Sequence, residues 1–505
     1  MKFKLTTILL MISVFNLLGQ VDYIKEGLSY QFAPEEEERT MYNVVFQDDQ
    51  YYFTGHESIN GKGSVTKYDK ATMKQVWRVN VEKSTLGKKK LTPIFLYHIN
   101  TDVTHVVSES YNSKTANVEL YHAAINGEGE MSEYNILATF RAFKKGDYQC
   151  FLRKHDNGVL IWGHTGAMKT VKPSVFTIWL DENNEFDKEL SYPIERGAKY
   201  VESFDLDEKN ERFYLTMHEG TIVGQYGKVH PPKNRYIFKF DRQKSSAISQ
   251  RVEFEDLFPK ITDVIVNQQT AEVYLVGFMG EKKGNSNSNT FYKTKISLED
   301  LLFKEIRTYP ISGKAIDELV TSKRSIENMF EDANSVSFNL KDCFFMEDGS
   351  SFIVYSNPVN FRGKGQLIVR FKNMVDLDYM KYYGNYSCRD YSIYANKQGG
   401  LSMFTLTNSL YLNDQEPNSL LKESDKKHYC LNQVDFNKDR THSVEVLMNI
   451  DFSKDGYYIG SLIDGVEISK EPSILFLQFT GKMSFKDINL MKVEGPIFNY
   501  NNLIY

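Results

Sequence analysis

One pattern recurs from end to end of this chain and limits what it can fold into. An apolar-rich run meets a tight polar turn, and a second such run follows. The turns are FQDDQYY (46–52), INTDVT (99–104), KHDNGVL (154–160), DEKNERF (207–213), NQQTAEV (267–273), MEDGSSF (346–352), NKQGGLS (396–402) and SKDGYYI (453–459). Several contain Asn-Gly or Asp-Gly, or a glycine just after the polar pair. Those residues accept the positive φ that a tight hairpin needs. The runs after the turns resemble one another: YYFTGHES (51–58), VLIWGHTG (159–166), FYLTMHEG (213–220) and VYLVGFMG (273–280).

A third run follows each hairpin after a loop of variable length. Examples are SVTKYDK (64–70), SVFTIWLDEN (174–183), RYIFKFDRQ (235–243) and ILFLQFTGK (474–482). A polar turn and a fourth run come next, such as QVWRVNV (75–81) and SQRVEF (249–254). The 32 tyrosines and 34 phenylalanines suit half-buried pleated surfaces. The unit recurs about every 58 residues, longer than a bare propeller blade of roughly 40–50. Sandwich domains in a row would not keep one four-stranded period throughout, and a β-helix has much shorter coils. The expected fold is therefore all-β, a β-propeller of eight four-stranded blades, or alternatively seven. The C-terminal end strains this count, because THSVEVLMNIDF (441–452) must serve two strands. If the units form one ring, a strand near the N-terminus is expected to pair with the last blade and lock it. One insertion, about 309–337, carries a helical pattern near 313–330.

The first unit, GSVTKYDKATMKQVWRVNV (63–81), resembles a blade of the quinoprotein type. There a strand ends in an Asp turn and the next begins near a Trp; Tyr68, Asp69 and Trp77 stand in the matching places. Asp181 and Asp241 keep the turn in later units. The resemblance implies fold, not quinone chemistry, since the vicinal cysteine pair and repeated tryptophans of quinone dehydrogenases are missing. The DG turns at 348–349 and 455–456 are generic hairpins, not the Ser-x-Asp-x-Gly box of sialidases. No cofactor is expected.

The N-terminus reads as a secretory leader. Lys2 and Lys4 precede an apolar run, Leu5 to Leu18, and then Gly19. Cleavage is expected after Gly19, leaving residues 20–505 as one domain. The run is short for a membrane span, and no later segment reaches 18 uninterrupted apolar residues. The leader, with Gln20 after the cut, resembles exported proteins of Bacteroidota. A periplasmic or secreted location follows as an expectation. The cysteines Cys150, Cys343, Cys388 and Cys430 match no zinc or redox spacing, and their pairing is open. A net charge of −5 argues against nucleic acid as a partner.

His56, His164 and His218 end three of the second runs. As members of different blades they are poor candidates for a shared metal, so none is expected; they are candidates for ligand contact at one rim. The long connections 163–174, 218–234, 278–289 and 407–427 all join second to third runs, and so belong to one face. The 309–335 link is expected on that face too. Rigid scaffolds with long loops on one side bind there. No nucleophile elbow, HExxH or phosphate loop occurs. The expected role is a non-enzymatic binding subunit of the periplasm or envelope with a protein partner on the long-loop face. An accessory part of an outer-membrane machine such as a secretion translocon is one form of it. The alternative is a propeller hydrolase or lyase acting on glycans.

Overall fold

The structure is a computed structural model. It describes residues 29–32, 40–81, 91–141, 148–165, 174–219, 234–254, 258–280, 290–320, 338–357, 364–408, 429–450, 457–463, 473–480, 487–494 and 503–504, apart from stretches of five residues or fewer inside these ranges. The chain divides into two compact units, 33–384 and a second made of 1–32 with 385–505.

The chain's first strand, β1 (Ser29–Phe32), belongs to the second unit. The first unit opens with sheet one: β2 (Thr40–Gln47), β3 (Tyr51–Ser58), β4 (Gly63–Asp69) and β5 (Gln75–Asn80). Sheet two is β6 (Thr92–Tyr97), β7 (Thr104–Asn112), β8 (Asn117–Ile125) and β9 (Asn135–Arg141). Sheet three is β10 (Tyr148–His155), β11 (Gly158–Thr165), β12 (Ser174–Leu180) and β13 (Phe186–Pro193). Sheet four is β14 (Ala198–Asp207), β15 (Arg212–Glu219), β16 (Arg235–Asp241) and β17 (Ser246–Arg251). Sheet five is β18 (Phe258–Asn267), β19 (Glu272–Gly280), β20 (Thr290–Ile296) and β21 (Phe303–Pro310). Sheet six holds β22 (Ile316–Val320), β23 (Asn339–Phe345), β24 (Ser351–Asn357), β25 (Lys364–Phe371) and β26 (Leu377–Asn385). The second unit contains sheet seven, β27 (Tyr391–Asn396), β28 (Leu401–Asn408), β29 (Tyr429–Phe436) and β30 (His442–Ile450), with β34 (Leu503–Ile504) added beside β27. Sheet eight is β31 (Tyr457–Ile463), β32 (Ser473–Thr480), β33 (Asp487–Glu494) and β1. The protein is an all-β propeller, and eight blade-like sheets lie among the described residues.

Strand periodicity explains why the sheets of the first unit stack. Successive side chains of a strand point to opposite faces. Val106 packs toward sheet one with Phe53, Val65 and Trp77, while Val107 packs toward sheet three with Val159 and Ile161. In β11, Val159 and Ile161 join that cluster, whereas Leu160 and Trp162 face Phe213 and Leu215 of sheet four. Tyr214 turns the other way, toward Val273 and Leu275 of sheet five. The core is thus a series of five inter-sheet layers, and a central strand such as β11 is buried along its whole length. Each fully buried aliphatic or aromatic side chain is worth about 1.5–3 kcal/mol.

The turns explain the repeat. Asp69 and Asp241 end third strands and Asp181 directly follows one; each Oδ1 accepts a backbone N–H of the following turn, from Thr72 (2.7 Å), Lys244 (2.9 Å) and Asn183 (2.9 Å) respectively. Trp77 is buried against the next sheet, its Nε1 donating to the Gly127 carbonyl at 3.1 Å. A second regularity was not foreseen. The first strands of sheets one, two, four, five and six carry a register shift against their second strands, between Tyr42/Val44, Pro93/Phe95, Val201/Ser203, Pro259/Ile261 and Leu340/Asp342. A bulge on the first strand is therefore part of the unit and adds local twist.

Two expectations change. Residues 441–452 do not supply two strands: His442–Ile450 is the single strand β30. Sheet eight takes its remaining strand from the N-terminal end, as expected for a closed ring: β1 pairs antiparallel with β33, Ser29 opposite Glu494. The order β31-β32-β33-β1 makes β31 the counterpart of a first strand, and it carries a bulge between Ile459 and Ser461. The SKDGYYI turn therefore belongs to the link before sheet eight, and ILFLQFT is its second strand. Next, the expected helix is not formed where the segment is described. Ile316–Val320 is strand β22, which pairs in parallel with β26 at the far side of sheet six from β23, so it covers a sheet edge rather than extending a loop. The rest of that insertion lies outside the described residues. Of the cysteines whose pairing the sequence leaves open, Cys150 and Cys343 are free thiols, which removes every pairing that uses either.

Gly55, Gly163 and Gly277 lie inside the second strands β3, β11 and β19. At the last two, close approach requires glycine. A Cβ on Gly277, at φ +154°, would stand 2.0 Å from the Ile261 carbonyl oxygen, and one on Gly163 would stand 2.5 Å from that of Gln149. Gly277→Ala should lower stability by about 3 kcal/mol or more. Gly127→Ala, with open space around its Cβ, should stay within about 0.5 kcal/mol of the parent. Denaturant melts of both check this. A second prediction concerns β1. Deleting 27–32 should leave β33 as an edge and speed amide exchange across 487–494, with sheets one to six unaffected; unchanged protection there would refute the pairing.

Candidate functional site

The three sequence-selected histidines occupy equivalent places near the ends of β3, β15 and β11. His56 pairs in register with Tyr42 and Ser64; its side chain lies outside the described residues. His164 is buried, with Nε2 3.1 Å from Gln149 Oε1 in the adjacent strand. Its Nδ1 has no hydrogen-bond partner, and burial lowers its pKa to about 4. His218 places Nδ1 3.3 Å from the Glu219 carbonyl. Burial lowers its pKa, opposed by Glu202 and reinforced by Arg235. These bonds of His164 and His218 lie within their own sheets, and among the described residues no three His, Cys, Asp or Glu side chains are grouped to hold a metal.

Around His218 the structure assembles a buried polar group that the sequence did not announce. Arg235 is almost fully buried, and its Nε bonds Glu202 Oε1 at 2.9 Å. Its guanidinium also reaches across to sheet five, where NH1 donates to the Pro259 carbonyl at 2.6 Å and NH2 to that of Lys260. The bulge in β18 presents these carbonyls. Asp263, two residues beyond the bulge, is buried with Oδ2 unpartnered. Burial first, and then the charge of Glu202, pushes its carboxyl well above the usual range. Burial thus favours the neutral form of Asp263. The group ties sheet four to sheet five.

A second group joins sheets two and three. His105 and His122 stand on β7 and β8. The register pairs His105 with Ala124 and Val107 with His122, so the histidines are diagonal neighbours on one face. His105 Nδ1 lies 3.1 Å from His122 Nε2, and the rings stack at 5.3 Å. From the β12–β13 turn, Asn184 brings Nδ2 to 2.8 Å from the same His122 nitrogen, and Tyr97 donates to Asn184 Oδ1 at 2.7 Å. For Asn184 to donate, His122 must keep a lone pair on Nε2 and stay neutral. The alternation in THVV (104–107) and LYHA (120–123) carries the signal; only the hairpin register, which sequence leaves open, turns it into a contact.

No known family matches the chain, and no curated protein matches it. Among solved structures it is similar to the WD40 domain of SCAP from fission yeast, at 9% identity and a TM-score of 0.39 over 93% of this chain and 98% of that one. It is similar to the Dos1 propeller at 9% identity and 0.35, covering 72% and 76%. The polysaccharide lyase Uly1 gives 10% identity and 0.39, covering 94% of each chain. At such identities no side-chain role transfers. Among the described residues no helix is long and apolar enough to cross a membrane.

The histidine pair makes stability pH-dependent. Burial lowers both His105 and His122 to about 4, His105 being lowered further by His122 and His98. Between pH 6.5 and 4 the unfolded chain therefore binds more protons than the folded one. Stability is complete above pH 6.5 and falls as pH drops, by up to about 1.4 kcal/mol per pH unit for each histidine. In thermal melts His122→Gln should flatten the decline between pH 6.5 and 4.5; an unchanged slope would show that the pair is already charged when folded.

Proposed function

We propose that the chain is an exported, non-enzymatic binding subunit of the periplasm or cell envelope that engages a protein partner through the edge where second strands give way to third strands. One observation carries this reading. In the first unit the first-to-second turns are short: two residues part β10 from β11, and four part β14 from β15 and β18 from β19. On the opposite edge, eight residues part β11 from β12, fifteen part β15 from β16, and nine part β19 from β20. The antiparallel meander puts those longer connections at one edge of three consecutive sheets. The sheets beneath are fixed by their inter-sheet layers, so the scaffold supplies geometry and the connections supply variable chemistry. His56, His164 and His218 stand where second strands reach that edge, and we place them as contacts at its base. An accessory role in an outer-membrane machine such as a secretion translocon is the concrete form of this proposal, and the leader reading of residues 1–19 supports export.

The test replaces 166–173, 220–233 and 281–289 with short Gly-Ser links. Melting should shift by only a few degrees, since changing loop length costs little. Partners recovered with the parent by affinity purification from the native envelope should be lost, with at least about a tenfold weaker Kd. Native protein should begin at Gln20 by mass spectrometry. Retained partners would overturn the binding edge. Turnover of a polysaccharide by the pure protein would replace the reading with the glycan-enzyme alternative.

A further inference from the structure

The edge with the short turns holds a cavity of about 470 Å³ between sheets five and six, independent of the loops invoked above. That volume is in the range of sites for small organic molecules. Its wall is built from turns already fixed by the repeat. Asn267 opens the β18–β19 turn, its Oδ1 accepting the N–H groups of Gln269 and Thr270. Across from it, the β23–β24 turn is held by Asp348, which accepts from Ser350 Oγ at 2.6 Å, and Gly349 takes φ +78°. Asn373, in the β25–β26 turn, adds another amide. These turns contribute amide and hydroxyl groups to the lining.

The charged part comes from β19, β20 and β21. Lys293, Lys295 and Arg307 line the cavity with Glu272 and Glu305, an excess of one positive charge. Lys295 and Tyr274 both engage Glu272, the Tyr274 hydroxyl at 2.5 Å. Burial opposes the charge of Glu272, but those two partners outweigh it and hold its carboxyl below the usual range. Lys293 is buried, and its Nζ lies 4.6 Å from the ring centres of both Tyr274 and Phe371. A cation held against two ring faces and taken out of water gains from an anion brought next to it. Burial has already lowered its pKa to about 8, against the raising influence of Cys343 and Glu272. Tyr274, together with Phe345 and Met346, adds an apolar part to the lining.

We propose that this cavity binds a small hydroxylated carboxylate of sugar-acid size, with Lys293 and Arg307 meeting the carboxylate. Asn267, Thr270, Ser350 and Asn373 meet the hydroxyls, and the Tyr274 ring lies against the carbon skeleton. The carboxylate is required by the surplus positive charge. The hydroxyls are required because amide and hydroxyl side chains bind poorly to a bare hydrocarbon.

The experiment titrates full-length purified protein with glucuronate, and separately with glucose and acetate, by calorimetry or ligand-observed NMR. Glucuronate should bind saturably and at least tenfold more tightly than either control, each of which carries one half of the recognised chemistry. Arg307 is exposed, so Arg307→Gln should leave melting unchanged and weaken glucuronate at least fivefold. Lys293→Met should weaken it further, and Glu305→Gln should tighten it. Absence of saturable glucuronate binding by the parent would overturn the proposal. So would glucose binding equally well, or Arg307→Gln binding glucuronate like the parent. None of these results bears on the long-connection edge, so this site and the proposed partner edge fail or stand separately.

Discussion

Sheets two to five of the first unit depend on having a neighbour on each face. Alternate residues of a strand point in opposite directions, and here both directions are apolar. Val106 and Val107 serve two different layers; so do Tyr214 and Leu215, and Tyr274 and Leu275. A single four-stranded sheet of this composition would leave one apolar face in water. Stacking removes that cost, and it makes the tandem repeat a condition of folding, not a decoration. The recurrent first-strand bulge and the buried glycines of the second strands follow from the same demand. Sheets pressed together need twist, and at Gly163 and Gly277 a neighbouring carbonyl occupies the place of a side chain.

Polar groups enter these layers only where they are bridged. Arg235 crosses from sheet four to backbone carbonyls of sheet five, and Asn184 crosses from sheet three to His122 of sheet two. Both lie toward the ends of the strands, where the apolar layer gives out. Burial biases the charge states: it lowers the histidine pKa values and raises that of Asp263. These groups fix how one sheet sits on the next.

The two edges differ in kind. One carries connections of eight to fifteen residues over sheets three to five of the first unit, and is the edge proposed for a protein partner. The other, over sheets three to six, is made of turns of two to six residues, several of them locked by Asp and Asn side chains, with a small, charged cavity between sheets five and six. The two proposed sites therefore stand on different edges of the stack.

Fold class, strand count per unit and the positions of nearly all the hairpins were legible in the sequence. They depend on local rules: alternation along a strand, Asn-Gly and Asp-Gly turns, and an Asp that bonds the backbone just after it. His56, His164 and His218 were correctly read as equivalent strand-end positions for the same reason. What failed was mostly set by distant partners. The helical pattern in the 309–337 insertion gave way over Ile316–Val320 to a strand, because the open edge of β26 offers hydrogen bonds that an isolated short helix cannot match. Closure was the exception: ring geometry alone called for an N-terminal strand in the last sheet, and Ser29–Phe32 supplies it, more than 400 residues away in sequence. The diagonal contact of His105 with His122 and the wall around Lys293 needed hairpin register and the packing of one sheet on another. Local sequence determines where this chain turns and which residues share a strand face; only tertiary structure decides which faces meet, since that depends on neighbours the local sequence does not contain.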